Sequence, residues 1–211
     1  SRLAPGALAG RTVLVQGGAG AVGHAAIQLA AWAGATVIAT VSSDEKEALA
    51  RAAGAHHVLQ YPSDALADGI RELAPNGVEH IVEVAIADNA ALDVEVIANH
   101  GTIGYYADNG GDDFTAPVRV SFAKNIRWQG LLLYTVGERA LLAAAEDVAA
   151  VLGNLVDNAI RAAVAGAEPR QVEVTLLTDG SELVLTVADS GPGIAPPDRD
   201  PFTPTTETIA V

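Results

Sequence analysis

The chain contains no cysteine. That excludes disulfides, thiolate-ligated zinc and a cysteine nucleophile together. It leaves the redox compartment open while fitting a cytoplasmic, bacterial-type protein. Methionine is also absent, position 1 included, so Ser1 is expected not to be the natural start. Positive charge is scarce: 12 Lys and Arg stand against 26 Asp and Glu, for a net charge of -14. A nucleic-acid backbone would be repelled by such a surface, and no run of Lys or Arg offers a hidden basic patch, so no nucleic-acid partner is expected. Long apolar runs are missing too. None approaches the roughly 18–20 residues that span a bilayer, and no signal peptide is visible, so a soluble protein without a membrane partner is expected.

What is present begins with size and hydrophobicity. The 211 residues are 50% hydrophobic, enough for one ordinary domain or two small ones with a core that needs no staples. The stretch that organises the chain is Thr12 to Gly23, TVLVQGGAGAVG. Val13, Leu14 and Val15 form the short apolar run of a strand buried on both faces. Gly18, Gly20 and Gly23 then spell G-A-G-A-V-G, and an Ala-rich helical segment from His24 to Ala33 follows, ended by Gly34. Strand, glycine turn and helix are the context of the dinucleotide fingerprint. One glycine allows a sharp turn, one lets backbone approach a pyrophosphate, and one lets helix lie against strand. The helix start, with Ala21 and Val22, offers free N–H groups to phosphates.

Further along, strands are expected at Ala35 to Val41, His57 to Leu59, Ile81 to Ala85, Thr102 to Tyr106 and Ile126 to Tyr134. Between them lie helices from Asp44 to Gly54, from Asp64 to Ala74 and from Asn89 to Asn99. Ser42 with Glu45 has capping-box spacing, and Ser63 caps the next helix. A Gly/Asp/Asn-rich loop runs from Ala107 to Pro117. Alternation of strands with helices predicts a doubly wound, Rossmann-type parallel sheet over residues 1–150. From Val136 the pattern changes. Gly137 to Ala165 reads as one long helix, or two meeting near Gly153. Alternation at Val172, Val174, Leu176 and at Leu183, Leu185, Val187, with Asp179-Gly180 between them, predicts a hairpin. Ala195 to Val211 holds four prolines and many threonines and is expected to be poorly ordered, the last part, residues 201–211, as a flexible tail.

Two families are resembled in succession. VLVQGGAGAVGHAAIQLAAWAGATVIATVSS, AGAHHVLQY, IVEVA and NIRWQGLLLY resemble the cofactor domain of zinc-free medium-chain dehydrogenase/reductases of the quinone oxidoreductase type. The resemblance implies hydride transfer between a nicotinamide cofactor and a quinone or activated alkene. No counterpart of the family's GroES-like substrate domain is seen, so a cofactor-binding but catalytically incomplete chain is expected, with no catalytic residue assigned. Residues 151–200 resemble part of the ATP-binding domain of sensor histidine kinases. LGNLVDNAIRAA is similar to its asparagine box, in which Asn158, helped by Asn154, would hold magnesium on the nucleotide phosphates. VADSGPGI is similar to its first glycine box, in which Asp189 would accept from the adenine amino group and Gly191 and Gly193 would let the base approach. A chimera joined near Ala149 to Leu152 is the expectation. Mg-ATP binding, or a folded chimera that binds neither ligand, stands as the alternative.

Cofactor choice rests on the end of the second strand. In place of the acid that reads ribose hydroxyls in NAD users, this chain has Ser42 and Ser43, with Lys46 following. Hydroxyls and an ammonium suit a 2′-phosphate, so NADPH is expected over NADH, with helix capping as the alternative role of the serines and solvation that of the lysine. Tyr61 matches a tyrosine flanking that pocket in the quinone reductases. Val84, Ala85, Gly104 and Tyr105 fall at carboxyl ends of strands, where open α/β sheets bind ligands. His24, His56, His57, His80 and His100 lack metal-ligand spacing, and Asp112-Asp113 read as solvated. The apolar stretch Ile126 to Tyr134, expected as a long edge strand, is a pairing template. The medium-chain resemblance implies a homodimer through it.

Overall fold

The computed structural model describes residues 4–107, 109–165, 172–179, 182–189 and 206–210. Strand β1 (Thr12–Val15) sends Val13 and Val15 into one apolar cluster and Leu14 into another, because successive strand residues point to opposite faces. Its continuous apolar run is therefore covered on both sides. β2 (Thr36–Val41) does the same, with Val37, Ala39 and Val41 on one face and Ile38 on the other. β3 (His57–Gln60), β4 (Val78–Glu83), β5 (Ile97–Tyr105) and β6 (Arg127–Gly130) complete a six-stranded sheet in the order β3-β2-β1-β4-β5-β6, every pair parallel.

Helices cover both faces. α1 (Ala21–Trp32) and α2 (Asp44–Ala52) bring Ile27, Ala30 and Ala50 to the first cluster. α3 (Leu66–Leu73) and α4 (Ile86–Val96) bring Ile70, Ala90 and Val96 to the second. This is a doubly wound Rossmann-type sheet, as the alternation of strands and helices predicts. Leu14, Ile27, Ile38, Ile70 and Ile103 are fully buried, and each contributes about 1.5–3 kcal/mol of transfer free energy.

Several boundaries differ from the sequence expectation. α1 starts at Ala21, three residues before His24, because extended Gly20 passes directly into the helix. α2 is capped by Ser43, not Ser42: Ser43 is the extended residue, and its Oγ accepts from the Lys46 N–H at 3.3 Å. α3 begins at Leu66 rather than Asp64, because Ser63 closes a turn whose carbonyl accepts from Leu66 N–H. β4 begins at Val78 and ends at Glu83, so Val84 and Ala85 follow the strand. α4 runs from Ile86 to Val96 rather than from Asn89 to Asn99. Lys124 Nζ donates to the carbonyls of Val94, Ile97 and Glu95 at 2.8, 2.9 and 3.3 Å, which closes the helix end with a cation. β5 accordingly starts at Ile97, with a register irregularity against Val78/His80 and His100 at φ 64°.

The edge of the sheet departs furthest from expectation. A short helix α5 (Val118–Ala123), too brief to show a period, precedes β6. β6 itself is four residues long, not the nine of Ile126 to Tyr134. Leu131 N–H donates to Tyr105 O at 2.9 Å, and the chain then leaves the ladder into a single 3₁₀ turn, Leu133–Thr135.

The chain divides into two units, up to Leu141 and from Leu142 onward, some ten residues before the expected join. The division falls inside α6 (Glu138–Ala165), one helix that passes through Gly153 without a break. The second unit adds β7 (Val172–Asp179) and β8 (Glu182–Asp189), the expected hairpin, paired antiparallel from Val172↔Asp189 to Asp179↔Glu182. β9 (Thr206–Ala210) pairs antiparallel with β8. The expected flexible tail of residues 201–211 thus contains a strand, and β-branched Thr206, Thr208 and Ile209 give that segment strand preference.

Candidate cofactor site

The strand order reverses between β1 and β4, with β2 and β3 on one side and β5 and β6 on the other. Beyond the carboxyl ends of strands at such a point lies the crevice where open α/β sheets take ligands. A cavity of about 570 Å³ occupies this position, lined among others by Gln16, Gly17, Thr40, Tyr61, Val84 and Ala85. Gln16 follows β1 directly, Thr40 ends β2 with Val41, and Val84 and Ala85 follow β4.

The glycines divide their work differently from the simplest reading of the fingerprint. The left-handed turn falls on Gly17, at φ +67°, one residue before the G-A-G-A-V-G motif. Its N–H donates to Thr40 Oγ1 at 3.3 Å, and the Gly18 N–H donates to Thr40 O at 2.9 Å. A Cβ on Gly18 would lie 2.9 Å from that of Ala39 and 3.0 Å from Ile27 Cδ1. Gly18 therefore serves close packing beneath the loop. A Cβ on Gly23 would come within 2.3 Å of Gly17 O, so Gly23 lets α1 seat against the turn. Only Gly20 has no such conflict: Gly17 O, at 3.4 Å, is the one neighbour its Cβ would meet. Its bare backbone faces open space at the start of α1.

That helix start suits an anion. Gly20 supplies no side-chain cap, and the first turn of α1 contains no acidic residue, so the N–H groups of Ala21, Val22 and Gly23 meet no competing carboxylate from their own helix. An open glycine, an uncapped helix N-terminus and a crevice at the switch point fit a dinucleotide pyrophosphate. Below the turn lie Gln16, Thr40, Glu83 and Asp93, the buried polar side chains of the described residues; hydrogen bonds join Thr40, Gln16 and Asp93, and Glu83 lies beside Asp93. Burial, followed by the proximity of Glu83, holds the Asp93 carboxyl well above its ordinary range.

The other candidate residues distribute unevenly. Lys46 Nζ donates to Ser42 Oγ at 2.9 Å, an exposed pair at the end of β2, while Ser43 is spent on the helix cap. Tyr61 shares the cavity with Val84 and Ala85; Ser42, Ser43 and Lys46 do not line it. Gly104 and Tyr105 lie farther along the sheet. The Tyr105 ring packs edge-on against Phe114, 5.6 Å between centroids, and Phe114 lies 5.2 Å from Trp128. Gly17, Gln16 and Thr40 escaped the sequence reading. A doubled glycine before the motif was the available signal for Gly17; nothing local marks the other two. Of the ATP-type residues, Asn154 and Asn158 lie four residues apart on α6 and Asp189 ends β8, whereas Gly191 and Gly193 fall outside the described residues. Among the described residues no cluster of His, Asp or Glu could hold a metal, and no helix is long and apolar enough to cross a membrane. Asp112 and Asp113 are exposed.

Residues 21–152 match the zinc-binding dehydrogenase family model, and the chain belongs to that family. A second family model, that of the histidine kinase-, DNA gyrase B- and HSP90-like ATPases, matches residues 143–210. Quinone oxidoreductase-like protein 2 of Mus musculus is 34% identical over 124 residues, 58% of this chain and 35% of its own length. The 2-haloacrylate reductase of a Burkholderia species is 32% identical over 112 residues, 53% of this chain and 33% of its own. The solved structure of a mycobacterial protein complexed with NADPH superposes with a TM-score of 0.61 at 32% identity, covering 69% of this chain and 46% of that one. The chain thus spans about a third of the length of these curated relatives.

Proposed function

We propose that residues up to Leu141 form the nicotinamide-binding part of an oxidoreductase of the quinone reductase type, with NADPH as the preferred cofactor. The observation that carries this reading is the glycine turn, with Gly20 open where Gly18 and Gly23 are closely packed, beside a crevice at the β1/β4 switch. The amides of Gly20, Ala21, Val22 and Gly23 would hold the pyrophosphate. Ser42 and Lys46 would meet the 2′-phosphate, and their existing 2.9 Å contact keeps the ammonium at that end of β2. Tyr61 would flank the adenosine end, and Val84 and Ala85 would lie along the remainder of the cofactor. The NADPH-bound mycobacterial structure and the quinone oxidoreductase relatives support the assignment. The cofactor supplies hydride. This chain's own residues bind and orient it, and no substrate pocket is assigned to them, so cofactor binding and turnover separate.

The second unit supports a second, narrower proposal: a fusion to a segment of histidine-kinase ATPase type. The match over residues 143–210 begins one residue beyond the start of the second unit at Leu142. Asn154, Asn158 and Asp189 would fall at its nucleotide-contact positions, and because no lid over the phosphates is assigned to this segment, little or no Mg-ATP binding is expected of them. Thermal-shift measurements with NADPH and with Mg-ATP test both readings, since a ligand that binds only the folded state raises the melting temperature. A shift with NADPH and none with Mg-ATP is the expected result. A shift with Mg-ATP alone would reverse the assignment. A homodimer through the segment Ile126 to Tyr134 is also proposed: Leu131, Leu132, Leu133 and Tyr134 are 49, 56, 64 and 89% exposed, a run of apolar side chains of the kind that marks an interaction surface.

A further inference from the structure

Two carboxylic acids are fully enclosed beneath the glycine turn. Glu83, the last residue of β4, and Asp93, in the middle of α4, are each 0% exposed. Two buried anions side by side without a cation would be strongly disfavoured. Among the described residues no Lys, Arg or His acts on Asp93: the groups facing it are Glu83 from β4 and Gln16 just after β1, and the half-buried phenol of Tyr106, after β5, faces Glu83 in turn. Glu83 is well supplied with donors. Asn89 Nδ2 donates to both its oxygens at 3.1 and 3.3 Å, and the Ala85 N–H donates to Oε1. Asp93 is not. Its Oδ1 accepts from Gln16 Nε2 at 3.1 Å, whereas its Oδ2 is buried with no donor aimed at it.

The rest of the network fixes a direction. The Gly17 N–H donates to Thr40 Oγ1, the Thr40 hydroxyl donates to Gln16 Oε1 at 2.6 Å, and the Gln16 amide donates to Asp93 Oδ1. Every donor points away from the glycine turn. A hydroxyl has one proton and an amide group one oxygen, so no member can be reversed without orphaning a neighbour. We propose that Asp93 retains a proton on Oδ2 and donates it to Glu83, completing a one-way chain of hydrogen bonds from the Gly17 amide to the Glu83 carboxylate that holds the glycine turn from below. The proton gives Oδ2 a role and replaces two buried charges with one. It makes Asp93 a positioning residue for the turn through Gln16 and Thr40, and networks of this kind gain from mutual polarisation.

The consequence is a stability that depends on one proton. Because the folded chain holds that proton above the pH at which an unfolded aspartate releases it, stability falls as pH rises from about 4 toward the raised folded value. Asp93→Asn offers a permanent N–H toward Glu83 and keeps the acceptor for Gln16, so this slope disappears. The test follows melting temperature for the parent chain and D93N from about pH 4 to about pH 9, with amide exchange of Gly17 and Gly18 measured at one fixed pH. The expected result is a parent curve that falls relative to D93N as pH rises, with protection of both amides kept in D93N and reduced about tenfold or more in Asp93→Leu and in Thr40→Val. Parallel parent and D93N curves would overturn the shared proton. Unchanged protection in T40V would overturn the hold on the turn, and that variant serves even if D93L does not fold. Neither readout uses a cofactor, so this inference and the cofactor assignment fail or stand separately.

Discussion

β1 and β6 are both four-residue strands of the same parallel sheet, yet they have opposite surroundings. In β1 three of the four residues are buried, and the chain beyond it enters the glycine turn, whose amides at Gly17 and Gly18 are held by Thr40. In β6 none is buried, and the chain beyond it exposes Leu131 to Tyr134. Both stretches carry apolar runs, but Val13 to Val15 lie within β1, whereas Leu131 to Tyr134 fall beyond β6, whose own residues are Arg127, Trp128, Gln129 and Gly130. β1 also has a helix layer on each side and a strand on each edge, while β6 pairs with β5 alone. An apolar run therefore marks a core where it lies inside a strand that the topology surrounds.

The largest effects should fall on the β1 side. Leu14→Ala removes a fully buried side chain from the centre of the sheet and is expected to cost about 2–5 kcal/mol in denaturant unfolding. Leu132→Ala, at an exposed position, should stay within about 0.5 kcal/mol. Equal costs would erase the contrast. Next, Gly23→Ala pushes a methyl toward the Gly17 carbonyl and should destabilise by about 1–3 kcal/mol, whereas Gly20→Ala should leave the melting temperature nearly unchanged. Lys124→Met strips the cation from three carbonyls at the end of α4, for a loss of about 1–3 kcal/mol. The smallest effect concerns His80. Burial, followed by the Arg11 guanidinium, lowers its ionisation below the ordinary 6.5. The folded state therefore prefers neutral imidazole, and stability should be lost as pH falls through 6.5 toward the lowered value. Melting curves of His80→Gln should lack that decline.

The exposed segment after β6 carries a separate expectation. Leu132→Asp and Tyr134→Asp together should convert a dimer to monomer by light scattering, without lowering cofactor affinity. A parent chain already monomeric at high concentration would remove the dimer proposal and leave the fold intact.

The sheet was legible because Val13 to Val15, Thr36 to Val41 and Ile81 announce buried strands through continuous apolar runs, and glycines and serines punctuate the helices. Its edge was not. The nine apolar-rich residues from Ile126 looked like one strand, but the last rung comes at Leu131, where Tyr105 offers the final carbonyl. The β9 segment was hidden by the prolines before it. In the site, the fingerprint located the turn, yet the left-handed residue is Gly17, which the pattern does not include. The Gln16–Asp93 contact joins residues 77 apart. No spacing rule connects them, so their partnership becomes visible only when β1 and α4 meet in three dimensions.

The central claim is that the open backbone at Gly20 receives a nicotinamide dinucleotide. Fluorescence titration of NADPH into the parent chain, beside the same titration with Gly20→Val and with NADH, tests it most directly. The account predicts saturable NADPH binding in the roughly micromolar range, weaker binding of NADH, and loss of binding in the Gly20→Val chain at an unchanged melting temperature. Absence of saturable binding by the parent chain, or a Gly20→Val chain that binds as tightly as the parent, would contradict it.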